Sequence, residues 1–125
     1  MHRKTYFVLL LVIFFSSCYE PKRNCTDFKT GTFAFETFLN GEVKQTTFVR
    51  NDTLEIDYFN EKADSSAIRW INDCEYIAEK INPKNRQEEK AIHFKIISTT
   101  TDTYTFEYNL VGKTKKQKGT VQKVN

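Results

Sequence analysis

The sequence is poor in the residues from which catalytic and phosphate-binding sites are built. It has four glycines and two histidines in 125 residues, and the glycines stand singly. No glycine-rich loop is therefore present that could cradle a phosphate. Ser65-Ser66 and Thr99-Thr100-Thr101 have no glycine elbow beside them, and a single histidine would have to serve any catalytic triad. The composition predicts that the protein is not an enzyme and holds no cofactor.

A catalytic pair of carboxylates is excluded less firmly, because Asp and Glu are scattered through every segment. Asp57, Glu75 and Glu107 could meet across strands and form an acid–base pair. Exposed strand faces normally carry such charges, however, and we expect a solvated role for all three.

The sequence also lacks an apolar run long enough to cross a bilayer as a helix. Tyr6–Phe15 is an unbroken run of ten apolar residues, whereas a spanning helix needs about 20. Basic residues precede this run, and Ser16-Ser17-Cys18 follows it directly. Basic, then apolar, then small residues is the order of a secretory signal.

Phe15-Ser16-Ser17-Cys18 resembles the lipobox of bacterial lipoproteins. In that family a diacylglyceryl group is attached to the cysteine, and a peptidase then cuts before it. Ser16 and Ser17 are small enough for the peptidase, whereas Phe15 stands where leucine is usual. The resemblance implies a signal peptide over residues 1–17 and a lipid on Cys18, and two or more acyl chains anchor a protein stably. An ordinary signal peptide and an uncleaved anchor are the alternatives.

Neither sign of charge dominates the chain. The sequence has 19 basic and 16 acidic residues, and loss of Arg3 and Lys4 with the signal leaves 17 basic ones. Nucleic-acid-binding domains are usually strongly basic, so we expect no nucleic-acid partner. The largest asymmetry is a lysine cluster near the C-terminus, which either contacts anionic lipid head groups or protects an edge strand from aggregation. Its members are Lys113, Lys115, Lys116, Lys118 and Lys123.

The cysteines predict one disulfide. With Cys18 lipidated, Cys25 and Cys74 remain, and an even pair in an oxidising compartment suggests a bridge. The alternative is two unpaired thiols, one in a tether and one in the core. A zinc site needs three or four ligands, and His93 is the only histidine after the signal, so we expect no metal site and a surface or rim position for His93.

Short strands separated by turn signals about every ten residues predict an antiparallel β structure. Asn40-Gly41 is a strong hairpin turn signal between two such strands. In the strand Thr53–Phe59, alternation predicts that Leu54, Ile56 and Tyr58 face inward. Further strands are predicted over Thr32–Leu39, Glu42–Arg50, Ala91–Ser98, Thr103–Leu110 and Lys115–Val124.

The segment Ser66–Ile81 is ambiguous. Its apolar spacing favours one helix that would end at Asn82-Pro83. The neighbouring hairpins and the β-favouring Ile, Trp and Tyr favour two strands around an Asn72-Asp73 turn, and we adopt the strands.

These observations predict a small antiparallel β-barrel or curved sheet of seven or eight strands, lipocalin-like in character. We expect a lipidated tether over residues 18–27 and a single β domain over residues 28–125. Six aromatic residues could line a ligand site in such a barrel, although a domain of about 100 residues has little spare volume, which favours a filled core. They are Phe33, Phe35, Trp70, Tyr76, Tyr104 and Phe106.

The lipobox, Asn24–Phe33 and Trp70–Tyr76 together resemble a family of small flavobacterial lipoproteins of unknown function. The similarity runs along the full length. Some relatives carry a DNA topoisomerase IV label, which this chain contradicts because it lacks the glycine-rich motifs of such enzymes and is addressed out of the cytoplasm. We interpret that label as a transferred error.

The resemblance to Bacteroidota proteins bears on location and modification. Their surface-exposed lipoproteins often carry several acidic residues after the cysteine, whereas only Glu20 is present here. We therefore expect the periplasmic face of the outer membrane. Asp52-Thr53-Leu54 resembles their O-glycosylation motif, which would place a sugar on Thr53, although three residues match often by chance.

The sequence thus predicts a membrane-anchored lipoprotein of the cell envelope with a non-enzymatic binding or structural role. An envelope protein is one candidate partner. The alternatives are a carrier of a small apolar ligand in an aromatic-lined barrel and an inhibitor of a secreted hydrolase.

Overall fold

The chain folds into a closed eight-stranded antiparallel barrel in which each strand pairs with the next and β8 pairs with β1. The computed structural model describes residues 22–125, apart from the side chains of residues 37–39. The prediction of a small antiparallel β-barrel is confirmed. No helix in this part of the chain is long and apolar enough to cross a membrane. The strands are β1 Gly31–Leu39, β2 Glu42–Arg50, β3 Leu54–Phe59, β4 Lys62–Asn72, β5 Glu75–Lys80, β6 Ile92–Thr99, β7 Thr103–Leu110 and β8 Gln117–Lys123.

The hairpin turns between β1 and β2 and between β3 and β4 use left-handed backbone conformations. Asn40 and Gly41 have φ values of 52° and 78°, as the Asn-Gly signal predicts. Asn60 and Glu61 adopt the same region, at 48° and 62°. Both turns lie at the same end of the barrel, because every connection between neighbouring strands is a hairpin.

The segment Ser66–Ile81 forms strands, not a helix. Trp70 lies opposite Tyr76 in the β4–β5 ladder. The turn lies at Asp73-Cys74, one residue later than predicted, because Asn72 still pairs with Glu75. The Asn72 side-chain oxygen accepts a hydrogen bond of 2.9 Å from the Cys74 backbone N–H, which stabilises that turn.

A short 3₁₀ helix, Cys25–Phe28, closes the end of the barrel opposite to the two Asn-led turns. Cys25 forms a disulfide with Cys74 of the β4–β5 turn, with 5.2 Å between their Cα atoms. Phe28 is 1% exposed and packs edge-on against the ring of Tyr104. This helix thus contributes Cys25 and Phe28 to the core of the barrel.

The inward face of β3 is the opposite of the one predicted from alternation. Glu55 is buried, whereas Tyr58 is 46% exposed. Arg50 at the end of β2 lies opposite Glu55 in the ladder and is itself buried. Because a strand has a period of two, pairing the buried arginine with Glu55 turns Asp57 inward and Leu54, Ile56 and Tyr58 outward.

Candidate functional site: the barrel cavity

The closed end of the barrel is organised around the guanidinium of Arg50. Its Nε donates to the Lys29 carbonyl at 3.1 Å, and one terminal nitrogen donates to the Phe28 carbonyl. The other donates to the hydroxyl oxygens of Tyr76 at 3.0 Å and Tyr104 at 3.3 Å. Arg50 therefore joins the 3₁₀ helix to strands β5 and β7 from inside the barrel.

Aromatic rings enclose the same guanidinium. Its central carbon lies between 4.7 and 5.7 Å from five ring centroids, within the range of cation–π attraction. Burial alone would lower the pKa of Arg50, but the oxygens of Tyr76, Tyr104 and Glu55 reverse the effect and raise it. Arg50 is therefore a buried permanent cation. The five rings are those of Phe33, Phe48, Trp70, Tyr76 and Tyr104.

The Arg50 cluster forms the floor of a cavity of about 240 Å³ inside the barrel. We call this cluster the cavity floor. Phe35 and Asp57 also line a wider depression of about 620 Å³ between the β3–β4 turn and the β5–β6 loop. We call this depression the mouth. The cavity is lined by Phe35, Phe48, Glu55, Asp57, Tyr76, Phe94, Tyr104, Phe106, Tyr108 and Val121.

Gly119 makes room for one ring of this wall. It lies opposite Phe106 in the β7–β8 ladder. A Cβ atom at position 119 would come within 2.8 Å of the Phe106 ring, so only glycine allows the ring to lie over β8 in this position.

The two acidic residues of the cavity have strongly perturbed ionisation. Burial raises the pKa of Glu55 to about 7, although Arg50 opposes the shift from 3.5 Å. Burial also raises the pKa of Asp57 to about 6; Asp64 adds to this shift, while Lys80 and Arg50 oppose it. Both carboxyl groups therefore change charge close to neutral pH.

The structure divides the six aromatic residues proposed as ligand-lining into two groups. Phe35, Tyr76, Tyr104 and Phe106 lie in the cavity wall. Phe33 and Trp70 lie below it, packed around Arg50. The indole N–H of Trp70 is buried and has no hydrogen-bond partner in residues 22–125.

Sequence reasoning missed the polar part of the site. The alternation of apolar residues could have added Phe94 and Tyr108 to the predicted lining residues, because both share inward faces with predicted core residues. Nothing in the local pattern marks Arg50, Glu55 or Asp57 as inward, because an isolated charge in a strand normally faces solvent. Only the pairing of β2 with β3 places them inside.

The three carboxylates considered for acid–base chemistry do not meet. Asp57 lines the cavity, whereas Glu75 and Glu107 lie on the outer face of the barrel. The Glu75 carboxylate accepts a hydrogen bond of 3.0 Å from the ring nitrogen Nε2 of His93 on the neighbouring strand. The Glu107 carboxylate lies 3.9 Å from the amino groups of both Lys116 and Lys118.

One of the two predicted modification sites lies within the described residues. Cys18, the predicted lipidation site, is outside the described residues. Thr53 is exposed in the turn between β2 and β3, and its hydroxyl lies 3.4 Å from the Asn51 side-chain oxygen.

Comparison with known protein families, with curated proteins and with solved structures finds no match to this chain.

Proposed function

We propose that this protein is a lipid-anchored envelope protein whose barrel carries a small, largely apolar ligand. The observation that carries the proposal is the cavity, which is lined by aromatic rings, contains a few polar groups and shares Phe35 and Asp57 with the mouth at one end of the barrel. Ligand sites in proteins have this composition. The anchor is supported by the lipobox-like Phe15–Cys18 segment.

An anchor on Cys18 would leave the mouth accessible. The segment from Cys18 to Cys25 can span at most about 25 Å, and Cys25 lies at the closed end of the barrel. An anchor on Cys18 would therefore hold the closed end near the bilayer. The mouth, at the opposite end, would face away from the lipid surface and admit ligand from the aqueous side.

Three aromatic probes of similar size test the cavity: 2-phenylethylamine, which is cationic, 2-phenylethanol, which is neutral, and 3-phenylpropionate, which is anionic. Binding is measured by calorimetry on the full chain in zwitterionic lipid nanodiscs, with empty nanodiscs as the blank. We expect at least one probe to bind at a single site.

A blocking variant with a matched control locates that site. Thr46 is buried in the wall of the mouth, whereas the adjacent Thr47 lies on the outer face of the same strand. Thr46→Phe should abolish binding and Thr47→Phe should retain it. The carrier proposal fails if no probe binds, or if both variants bind as the unmodified protein does.

A protein partner is the second candidate, and the outer face of the barrel favours it. Val49 is 40% exposed and lies opposite Ile56 in the ladder, with Tyr58 nearby on the same face. Capture of partners from native envelopes should lose a specific protein with Val49→Lys and keep it with Val111→Lys, which changes an exposed valine after β7. Equal capture by both variants would exclude this surface.

A further inference from the structure

Asp57 is a carboxylate in the wall of an aromatic cavity with no partner of its own. It lines both the cavity and the mouth. No hydrogen bond or ion pair joins it to another residue of the 22–125 segment. Lys80, whose charge acts on Asp57, is already bound by Asp64 at 2.7 Å and Glu88 at 3.0 Å.

The charges inside the barrel do not balance. Arg50 is the cation of the interior, and Glu55 lies 3.5 Å from it as its counter-ion. Asp57 adds a second carboxylate, and the neighbouring Lys80 is shared between Asp64 and Glu88. A carboxylate that is partly withdrawn from water is costly unless it is paired, so a cation placed beside Asp57 would be stabilised.

The rest of the wall is suited to a cation. Phe94 stacks on Tyr76 at 4.8 Å between ring centroids and on Tyr108 at 5.8 Å, and Phe106 lies 5.8 Å from Phe94. Aromatic faces attract a cation within about 6 Å, most strongly where water is excluded. The apolar rings would also bury the hydrocarbon part of such a ligand.

We propose that the cavity binds an organic cation, an amine or quaternary ammonium group on a small apolar body, with the cationic group against Asp57 and Glu55. This inference rests on the proposed carrier function and names its ligand class. The ammonium group pairs with the Asp57 carboxylate, and the rings enclose its substituents.

An amphipathic anion is the rival ligand. Lys62 and Lys84 lie at the mouth and could hold a carboxylate there while an apolar tail enters the cavity. The tail of such a ligand would leave Asp57 unpaired. The anionic probe tests this arrangement directly.

The three probes introduced above discriminate among the classes. At pH 8 we expect 2-phenylethylamine to bind roughly ten-fold or more tightly than 2-phenylethanol, the usual magnitude for a charge-assisted hydrogen bond. The anionic 3-phenylpropionate should bind most weakly. Equal binding of amine and alcohol, or strongest binding of the anion, overturns the cation assignment while leaving the carrier function intact.

Acidification supplies a second readout on the unmodified protein. Asp57 faces Asp64, Lys80 and Arg50, and its raised pKa means that it is protonated at pH 5. Glu55, which faces Arg50, Tyr76 and Tyr104, is protonated over the same range. The amine should therefore lose its advantage over the alcohol between pH 8 and pH 5. An advantage that is unchanged at pH 5 contradicts the proposal.

The variant Asp57→Asn tests how much this one carboxylate contributes to the preference for a cation. Because Asp57 has no partner in the described chain, the variant should fold, and we expect the preference for amine over alcohol at pH 8 to disappear. Glu79→Gln is the matched control, since it removes an exposed carboxylate from the outer face of β5 and should keep the preference. Retention of the preference by Asp57→Asn overturns the assignment.

Discussion

At the scale of single residues, Arg50 is the group on which the interior depends. It is 1% exposed, donates hydrogen bonds to two backbone carbonyls and two tyrosines, and has Glu55 as its counter-ion. A buried ion pair contributes little net stability compared with apolar residues of the same shape, but removal of one partner is costly. The arginine is thus a positioning element for the cavity floor.

Arg50→Leu should destabilise the fold by about 3–5 kcal/mol, because it leaves Glu55 and two carbonyls without their partner. Urea unfolding followed by the fluorescence of Trp70, the single tryptophan, measures the change. Arg69→Leu, at an exposed position of β4, should change stability by less than about 0.5 kcal/mol. Similar losses for the two variants would contradict the role given to Arg50.

The acidic pair predicts that stability falls as the pH rises. The pKa values of Glu55 and Asp57 in the fold, about 7 and about 6, lie above the ordinary values of 4.5 and 3.8. The folded state therefore binds these protons more tightly than the unfolded state does, so their favourable contribution is complete at low pH and is lost through pH 7. Glu75 and Glu88 have lowered pKa values and act in the opposite direction, but only below about pH 4.5.

We expect the free energy of unfolding to decrease by about 2–4 kcal/mol between pH 5 and pH 8. Urea unfolding at fixed ionic strength across this range measures it. Asp57→Asn should be more stable than the unmodified protein at pH 8 and should show a smaller decrease. A flat profile for the unmodified protein would show that the carboxyl groups are not desolvated in the fold.

At the scale of elements, the 3₁₀ helix and the β4–β5 turn form a single closure. The disulfide between Cys25 and Cys74 joins residues 49 apart in sequence. The Lys29 side chain adds an ion pair of 2.9 Å to Asp73 in the same turn. Because Phe28 and Lys29 also accept hydrogen bonds from Arg50, the cavity floor depends on this closure.

Cys25→Ser/Cys74→Ser should lower the free energy of unfolding by about 4 kcal/mol, the chain-entropy value for a loop of this length. Reduction of the unmodified protein should produce the same loss in denaturant unfolding. Reductant should leave the double variant unaffected. If the reductant destabilised both proteins equally, its action would not be on this bridge.

At the scale of the whole molecule, Cys25 and the mouth lie at opposite ends of the barrel, so the proposed anchor on Cys18 would hold the closed end near the bilayer. Cys18→Ala should move the protein from the membrane to the soluble fraction, because it removes the only predicted attachment for acyl chains. Fractionation of cells and mass spectrometry of the membrane-bound protein measure this. Cys25→Ser/Cys74→Ser, which keeps Cys18, should stay in the membrane. A membrane-bound Cys18→Ala protein would refute the anchor.

The sequence by itself determined most of the architecture. Alternation in β7, the Asn40-Gly41 turn and the even pair of cysteines are local or compositional signals, and the structure bears out the barrel, the hairpin and the disulfide. The choice of strands for residues 66–81 came from their neighbours, because the 3.6-residue period of that segment alone favours a helix.

Only the tertiary structure decided what the barrel contains. The face of β3 was predicted wrongly because Leu54, Ile56 and Tyr58 look like an inward set when the strand is read alone. The buried Arg50 stands opposite Glu55 in the ladder, and this pairing turns the two carboxylates inward. When a residue on a neighbouring strand sets which face of a strand points inward, the alternation of apolar residues within that strand does not reveal it. The cavity's charge, and with it the proposed ligand class, therefore emerges only when the strands are paired.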